Sequence, residues 1–283
     1  KKTVQFYVME EAELKRAFFS LLFVFGLLLG VSGTGKVNQG IASVPVSPGA
    51  YPILRIDVYY EPEDTVISLD LEEYIKGVVA SEMPASFHAE ASKAQAIAAR
   101  TVAVRKMQIF GGTPTLPGKA DVSSSHTKDQ AWSPKNVIQE RWGLFSTWLN
   151  WPKIEKAVEQ TRGLILTYNG FPAEALYHST CAGSTEAAKD VWGNDVPYLK
   201  SVSCPYCAAS PHYETAKITV SSSDVCAAMG KLGLSIPAAK ITEPGVLSVA
   251  QLSSTGRVKA LAVGGEDVRG VDFRGALGLK STK

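Results

Sequence analysis

One glutamate, Glu82, occupies a position from which its side chain could act as an acid or a base. The residues before it recur with helical spacing and form one apolar stripe: Leu71, Tyr74, Ile75, Val78 and Val79. Glu82 is the next position of that stripe. Because Pro84 disfavours helical geometry at the residue before it, the helix should end at about Met83. We therefore predict that Glu82 faces inward at the last turn of a helix over 71–82.

Two physical effects act on such a carboxyl group in the same direction. Partial burial and the negative end of the helix dipole both favour its neutral, protonated form. A carboxyl group that is protonated near neutral pH can serve as a general acid. Spacing alone leaves two other interpretations open, in which Glu82 turns to solvent at a frayed helix end or pairs structurally with an arginine.

A second helix is expected over 87–108, with Ser86 as its N-cap. Its small residues form a row that would let it approach the first helix closely: Ala91, Ala94, Ala98 and Val102. Gln95 and Arg100 lie off this row and could point into a cleft. For Arg100, a structural salt bridge is the alternative interpretation.

The rest of the chain contains mostly short strands. Alternation predicts one over 53–60, a long loop spans 111–136, and a short helix is expected over 154–160. Further strands are predicted at 164–168, 173–177, 215–220, 246–252 and 257–263, before a helical turn at 272–277. Helices come early and strands later without regular alternation, which favours an α+β fold with helices packed on mixed and antiparallel sheets around a central cleft.

The first fifty residues are typical of an exported protein. An uncharged apolar stretch follows a basic flank, so we interpret 17–35 as a signal peptide or signal-anchor helix, with 1–16 in the cytoplasm. The small and polar residues 36–52 are typical of a linker, which leaves 53–283 as the functional, extracytoplasmic domain.

Composition excludes several classes of protein. Of the 283 residues, 45% are hydrophobic and 20% charged, which is typical of globular chains and excludes disorder and simple coiled coil. The net charge of +2 gives no electrostatic reason to expect a nucleic-acid partner.

Five segments resemble one known family in the same order along the chain: 71–106, 121–132, 157–170, 175–202 and 256–282. The first contains Ser81-Glu82-Met83-Pro84, and the fourth contains His178-Ser179-Thr180. Together they resemble the SpoIID/LytB domain of the stage II sporulation protein D family, over the chain from about residue 53 to its end.

The resemblance implies an extracytoplasmic enzyme of peptidoglycan. The sporulation members are lytic transglycosylases that cut the MurNAc–GlcNAc bond of glycan strands already stripped of stem peptides. The resemblance marks Glu82 as the catalytic acid and base. It also implies five substrate-binding residues: Arg100, Gln130, Tyr177, His178 and Ser179. One glutamate is sufficient because the sugar's own 6-hydroxyl can serve as the nucleophile, so the chemistry requires no cofactor.

The family also implies an alternative function and several partners. Its LytB branch is associated with enhancing an amidase, so the chain could bind peptidoglycan without cutting it. The partners implied are glycan strands, a cell-wall amidase and engulfment-type membrane proteins.

The cysteines depart from the family pattern. Some members bind zinc through cysteines in the loop at 121–132, where this chain has Ser123 and Asp129. A different set of ligands is present instead: His178, Cys181, Cys204 and Cys207. This spacing suits a structural zinc ion. Outside the cytoplasm a disulfide from Cys181 to Cys204 or Cys207 is the competing interpretation, and free thiols are the third.

Overall fold

The computed structural model describes residues 53–210, 213, 219–279 and 282, together with the backbone of 5–8. The chain divides into two compact units, 1–177 and 178–283. The signal or anchor predicted at 17–35 and the linker at 36–52 lie outside the described residues. Within the described part, every helix is too short or too polar to cross a membrane.

The described residues of the first unit form two small sheets and four α-helices. Its strands are β1 (Gln5–Val8), β2 (Arg55–Tyr60), β3 (Thr65–Asp70), β4 (Val122–Ser123), β5 (Leu164–Tyr168) and β6 (Phe171–Pro172). Its helices are α1 (Leu71–Glu82), α2 (Ala89–Lys106), α3 (Lys135–Trp142) and α4 (Leu144–Glu159). In one sheet β2 pairs antiparallel with β3 and parallel with β4, and in the other β5 pairs antiparallel with β1 and β6.

The second unit contains one antiparallel sheet and short helices. The sheet has the order β7 (Leu247–Leu252), β8 (Val258–Val263) and β9 (Glu266–Arg269). The helices are α5 (Ala188–Trp192), α6 (Ser222–Lys231), α7 (Ala238–Ile241) and α8 (Gly270–Leu277). The α+β class with small sheets is confirmed, whereas the central cleft stays a prediction.

Helix α1 has the predicted bounds because both of its ends are fixed by the sequence. The Asp70 carboxylate accepts hydrogen bonds from the backbone amides of Glu72 and Glu73, at 2.9 and 3.2 Å, and so caps the first turn. Met83 adopts extended geometry before Pro84 and ends the helix. The predicted apolar stripe is fully buried.

Helix α2 buries a different face from the one predicted. Its N-cap is His88 rather than Ser86. The buried small residues are Ser92, Ala96, Ala99 and Ala103. The predicted row is wrong, and its member Ala94 is exposed. Alanines lie on every face of this helix, so their spacing does not show which face is buried. The buried face also contains Gln95 and Arg100.

Two other segments differ from expectation. The short helix predicted at 154–160 is α4, which begins ten residues earlier and contains Pro152. The strand predicted at 173–177 is wrong: the Ala173 amide donates to Leu166, and the ladder then ends. The strand predicted at 215–220 falls mostly outside the described residues.

A glycine lets the loop after β4 lie directly on α1. A Cβ atom at Gly77 would come within 2.3 Å of Trp132 Nε1 and 2.7 Å of the Ser133 carbonyl oxygen. Trp132 itself is buried between Tyr60, edge to face, and Tyr74, stacked. The contact at Gly77 therefore sets the distance between α1 and the backbone of 131–133.

We predict that Gly77→Ala destabilises the protein despite alanine's higher helix propensity. The new methyl group must displace a backbone carbonyl, which costs about 1–3 kcal/mol of unfolding free energy. Urea denaturation measures this, with Gly230→Ala in α6 as control because no neighbour lies within 4 Å of its Cβ position. Equal stability of Gly77→Ala and wild type would show that the loop is not held against α1.

Candidate active site

The Glu82 carboxyl group lies where the end of α1 meets the loop that follows β4. Its Oε1 accepts a hydrogen bond of 2.7 Å from the Ala131 backbone amide. The side chain is only partly exposed, as the inward-facing stripe predicts. A backbone amide is a fixed donor, so this bond orients the carboxyl group without depending on another side-chain rotamer.

Behind the carboxyl group lies a buried polar network. The Tyr177 hydroxyl donates to Gln130 Oε1 at 3.0 Å. Gln130 Nε2 in turn lies 3.3 Å from both the Tyr74 hydroxyl and the Ala99 carbonyl oxygen. Gln130 is 2% exposed, so these bonds satisfy its amide in the absence of solvent. The predicted residues Gln130 and Tyr177 are thus brought together beside Glu82.

The two tyrosines of this network remain protonated at physiological pH. Burial raises the pKa of Tyr177, and the nearby Glu82 carboxylate raises it further. Burial likewise raises the pKa of Tyr74 well above its ordinary value, with a smaller contribution from Glu82. Both phenols are therefore hydrogen-bond donors, and neither is a base near neutral pH. Tyr177 also interacts directly with the Glu82 side chain.

Glu82 lines a cavity of about 530 Å³, within the range of pockets that bind small molecules. Its wall includes the 80–86 segment and residues from α3 and α4: Arg141, Trp142, Ser146 and Asn150. A neighbouring cavity of about 340 Å³ shares Ser81 and Arg141 with the first. The Ser81 hydroxyl is buried and has no hydrogen-bond partner within the described part of the chain.

Sequence reasoning missed the α3 and α4 side of this cavity. Ser146 and Asn150 are four residues apart and share a helix face, which places both in the cavity wall. The helix predicted at 154–160 begins after both residues, and proline at position 152 is unfavourable inside a helix. Extending the helix back to Leu144 would have revealed this shared face.

Comparisons with known proteins agree on one family. The family model described as SpoIID, stage II sporulation protein, matches residues 59–168. Stage II sporulation protein D of Bacillus subtilis (strain 168) is 38% identical over 252 residues, 86% of this chain and 69% of that protein. The chain belongs to the stage II sporulation protein D family.

Two further relatives extend this finding. Stage II sporulation protein D of Bacillus amyloliquefaciens is 36% identical over 241 residues, 82% of this chain and 66% of that protein. The chain therefore spans about two thirds of the length of both sporulation relatives. The amidase enhancer of B. subtilis (strain 168) is 38% identical over 125 residues, 44% of this chain and 14% of that protein.

The match to the stage II sporulation protein D family covers Glu82, Arg100 and Gln130, but the structure gives Arg100 a different place from the predicted one. Arg100 is 1% exposed and forms a two-pronged ion pair with Glu72, at 2.9 and 2.6 Å. Its guanidinium also donates to the carbonyl oxygens of Leu164 and Val158. The prediction that Arg100 binds substrate is corrected to the structural salt bridge, because its donors are all directed into the core.

Two other predicted substrate-binding residues and the loop at 121–132 lie apart from Glu82 in the chain. His178 and Ser179 belong to the second unit and are exposed, so their contact with substrate stays a prediction. In the loop where some family members have zinc-binding cysteines, Asp129 Oδ2 accepts a 2.7 Å bond from the Ser123 amide. A hydrogen bond thus closes this loop.

We predict that Arg100→Ala lowers the free energy of unfolding by about 3–5 kcal/mol, because it leaves the Glu72 carboxylate buried without its partner. Glu72→Gln should also destabilise the protein. Denaturant unfolding followed by fluorescence measures both. If Arg100→Ala were as stable as wild type and instead raised KM for glycan, the substrate-binding role would be restored.

Proposed function

We propose that this chain is a peptidoglycan lytic transglycosylase that cleaves MurNAc–GlcNAc bonds with Glu82 as general acid and base. One observation carries the proposal: a carboxyl group held by the Ala131 amide lines a cavity large enough for sugar residues. Membership of the stage II sporulation protein D family supports it. We further propose that the protein acts outside the cytoplasm during cell-wall remodelling such as sporulation, with peptide-stripped strands as substrate.

The proposed reaction uses one carboxyl group twice. Glu82 first gives its proton to the glycosidic oxygen, and the bond from that oxygen to C1 of MurNAc breaks. The 6-hydroxyl oxygen of the same MurNAc then bonds to C1, and its proton passes to Glu82. The products are a free 4-hydroxyl on GlcNAc and a 1,6-anhydro end, and no water is consumed. The protonated Glu82 is regenerated, so the cycle closes.

The neighbouring groups support both halves of this cycle. The Ala131 amide holds the carboxyl group in place while its proton is given and taken back. Tyr177 stays protonated and interacts with the Glu82 side chain, so we propose that its one hydroxyl proton turns from Gln130 Oε1 to the carboxylate that exists between the two transfers. Gln130 holds the Tyr177 hydroxyl at 3.0 Å. These residues position the acid rather than replace it.

Arg141 suits the negative charge of a stripped substrate. Removing the stem peptide leaves the lactyl group of MurNAc as a free carboxylate, and Arg141 brings a guanidinium into the Glu82 cavity. Its Nη2 donates at 3.3 Å to the Oγ of Ser133, which lines the neighbouring cavity, so Arg141 belongs to the wall that the two cavities share. An arginine–carboxylate pair at this point would favour stripped strands over those that still carry peptide.

An exposed aromatic surface on α4, the helix that follows Arg141, suits sugar rings. Phe145 and Trp148 are both 71% exposed and stack with ring centroids 6.1 Å apart. They alternate along α4 with Ser146 and Asn150, which line the cavity. Exposed aromatic faces next to polar groups bind the apolar faces of sugars, so we assign neighbouring glycan residues to this surface.

A second candidate function is favoured by one comparison. The B. subtilis amidase enhancer is similar to 44% of this chain, so a glycan-binding enhancer of an amidase is the alternative. In that case Glu82 would hydrogen-bond the sugar and transfer no proton. An amidase and engulfment-type membrane proteins are the partners that we propose in either case.

We predict that Glu82→Gln lowers the rate of anhydro-muramoyl product release at least about 100-fold, because the amide keeps the shape of the carboxyl group and loses its proton. Mass spectrometry of soluble products from peptide-stripped glycan measures the rate. Glu90→Gln is the matched control: this exposed carboxylate pairs with Lys93 on α2 and should leave the rate unchanged.

Two results would contradict the assignment in different ways. If Glu82→Gln releases anhydro products at the wild-type rate, Glu82 is not the acid. If wild-type protein releases none while it accelerates an added amidase, the enhancer function is correct instead.

We predict that Arg141→Gln raises KM for stripped strands about three- to tenfold, because the exposed cation contributes only a modest ion-pair energy. The KM for strands that carry stem peptides should not change. Arg141→Lys retains the charge and should recover most of the preference. An equal effect of Arg141→Gln on both substrates would show that Arg141 does not recognise the lactyl carboxylate.

A further inference from the structure

The second unit brings three distant cysteines together. The sulfur atoms of Cys181, Cys204 and Cys207 all lie within 4.8 Å of one another, and the Cys204 and Cys207 sulfurs are 3.7 Å apart. All four cysteines of the chain are free thiols. For two thiolates on one tetrahedral zinc ion, bond lengths of about 2.3 Å give a separation of about 3.8 Å. The observed spacing matches that edge of a tetrahedron.

A backbone amide is directed at one of the three sulfur atoms. The Cys181 amide donates to Cys207 Sγ at 3.3 Å. Such a donor stabilises negative charge on sulfur, which a thiolate ligand carries and a neutral thiol does not. The bond also ties the backbone at Cys181 to the segment that contains Cys204 and Cys207.

Local pairing brings the two cysteine segments together. Ser184 and Ser203 form an antiparallel bridge, and the Cys204 amide donates to the Gly183 carbonyl oxygen at 2.9 Å. Cys204 then precedes a 3-10 helix, Pro205–Ala209, whose tight turn presents Cys207 on the same side. The separation of two residues between Cys204 and Cys207 is the usual spacing of a zinc-binding pair.

The same segment receives little support from hydrophobic packing. The hydrophobic cluster of the second unit comes from its later elements, α6 to α8 with β8 and β9. Among the described residues, none from 178–210 belongs to this cluster. Within 178–210 the regular structure consists of one short α-helix, one 3-10 helix and one bridge. A cross-link at the cysteines would supply the order that packing does not.

We propose that Cys181, Cys204 and Cys207 bind one zinc ion as a structural site of the second unit. A disulfide would use two of the three sulfurs and leave the third as a lone thiol, whereas one metal ion uses all three. Hard cations such as Ca²⁺ prefer oxygen ligands, which this set lacks. In the proposed site, a nitrogen or oxygen donor takes the fourth coordination position of the zinc ion. His178, predicted as a ligand, is exposed and does not belong to the cluster.

The test measures metal in the full chain, purified without chelator and with zinc supplied. Plasma mass spectrometry should find about one zinc per chain in wild type and in the control Cys226→Ala. Cys226 lies in α6 and packs on the hydrophobic cluster, away from the three sulfurs. Cys181→Ser, Cys204→Ser and Cys207→Ser should each lose at least nine tenths of the zinc.

A second measurement does not require the variants to fold. Titrating wild-type protein with a mercurial that reacts with thiols should release its zinc, as seen with a coloured metal indicator, as the three thiols react. Cobalt loaded in place of zinc should show the thiolate charge-transfer band of a tetrahedral site. Metal-free wild type whose mass shows a disulfide would overturn the proposal, as would zinc that survives complete thiol modification.

Discussion

The chemistry available to Glu82 depends on one hydrogen bond, from the Ala131 amide to the glutamate Oε1. The bond joins the end of a helix to a loop that comes almost fifty residues later, so its length depends on how closely the two backbones approach. Gly77 allows that approach, because any larger residue would push against the Ser133 carbonyl. Packing at Gly77, five residues before Glu82, thus controls the position of the carboxyl oxygen Oε1.

The surroundings of this bond combine aromatic packing with a buried hydrogen-bond network at Gln130. The Tyr74 ring stacks on Trp132, and the Tyr74 hydroxyl accepts a hydrogen bond from Gln130. Tyr74 therefore belongs to both the core and the polar network. A buried amide without partners would cost free energy, and the network avoids that cost at Gln130. The rigidity of the site comes from α1, whose apolar stripe belongs to the core and whose last residue, Glu82, lines the cavity.

The sequence predicted the bounds of α1 and the place of Glu82 at its last turn because periodicity, an N-cap and a proline all act locally. It could not predict Ala131, since a backbone amide has no distinguishing residue type. Arg100 was misplaced because an alanine-rich helix does not show which face is buried, and only the meeting with Glu72 decides it. Spacing indicated Cys204 and Cys207 as a pair, but Cys181 joins them through pairing at Ser184 and Ser203, which spacing does not encode.

A polysaccharide differs from a small ligand because its chain continues beyond the enzyme in both directions. A closed pocket would accept only strand ends. Here the Glu82 cavity and the neighbouring cavity share Ser81 and Arg141 in their walls, and Arg141 is exposed at the surface. Two cavities with a common wall can accommodate an uninterrupted strand across them, so this arrangement would allow the proposed cleavage in the middle of a glycan as well as at its terminus.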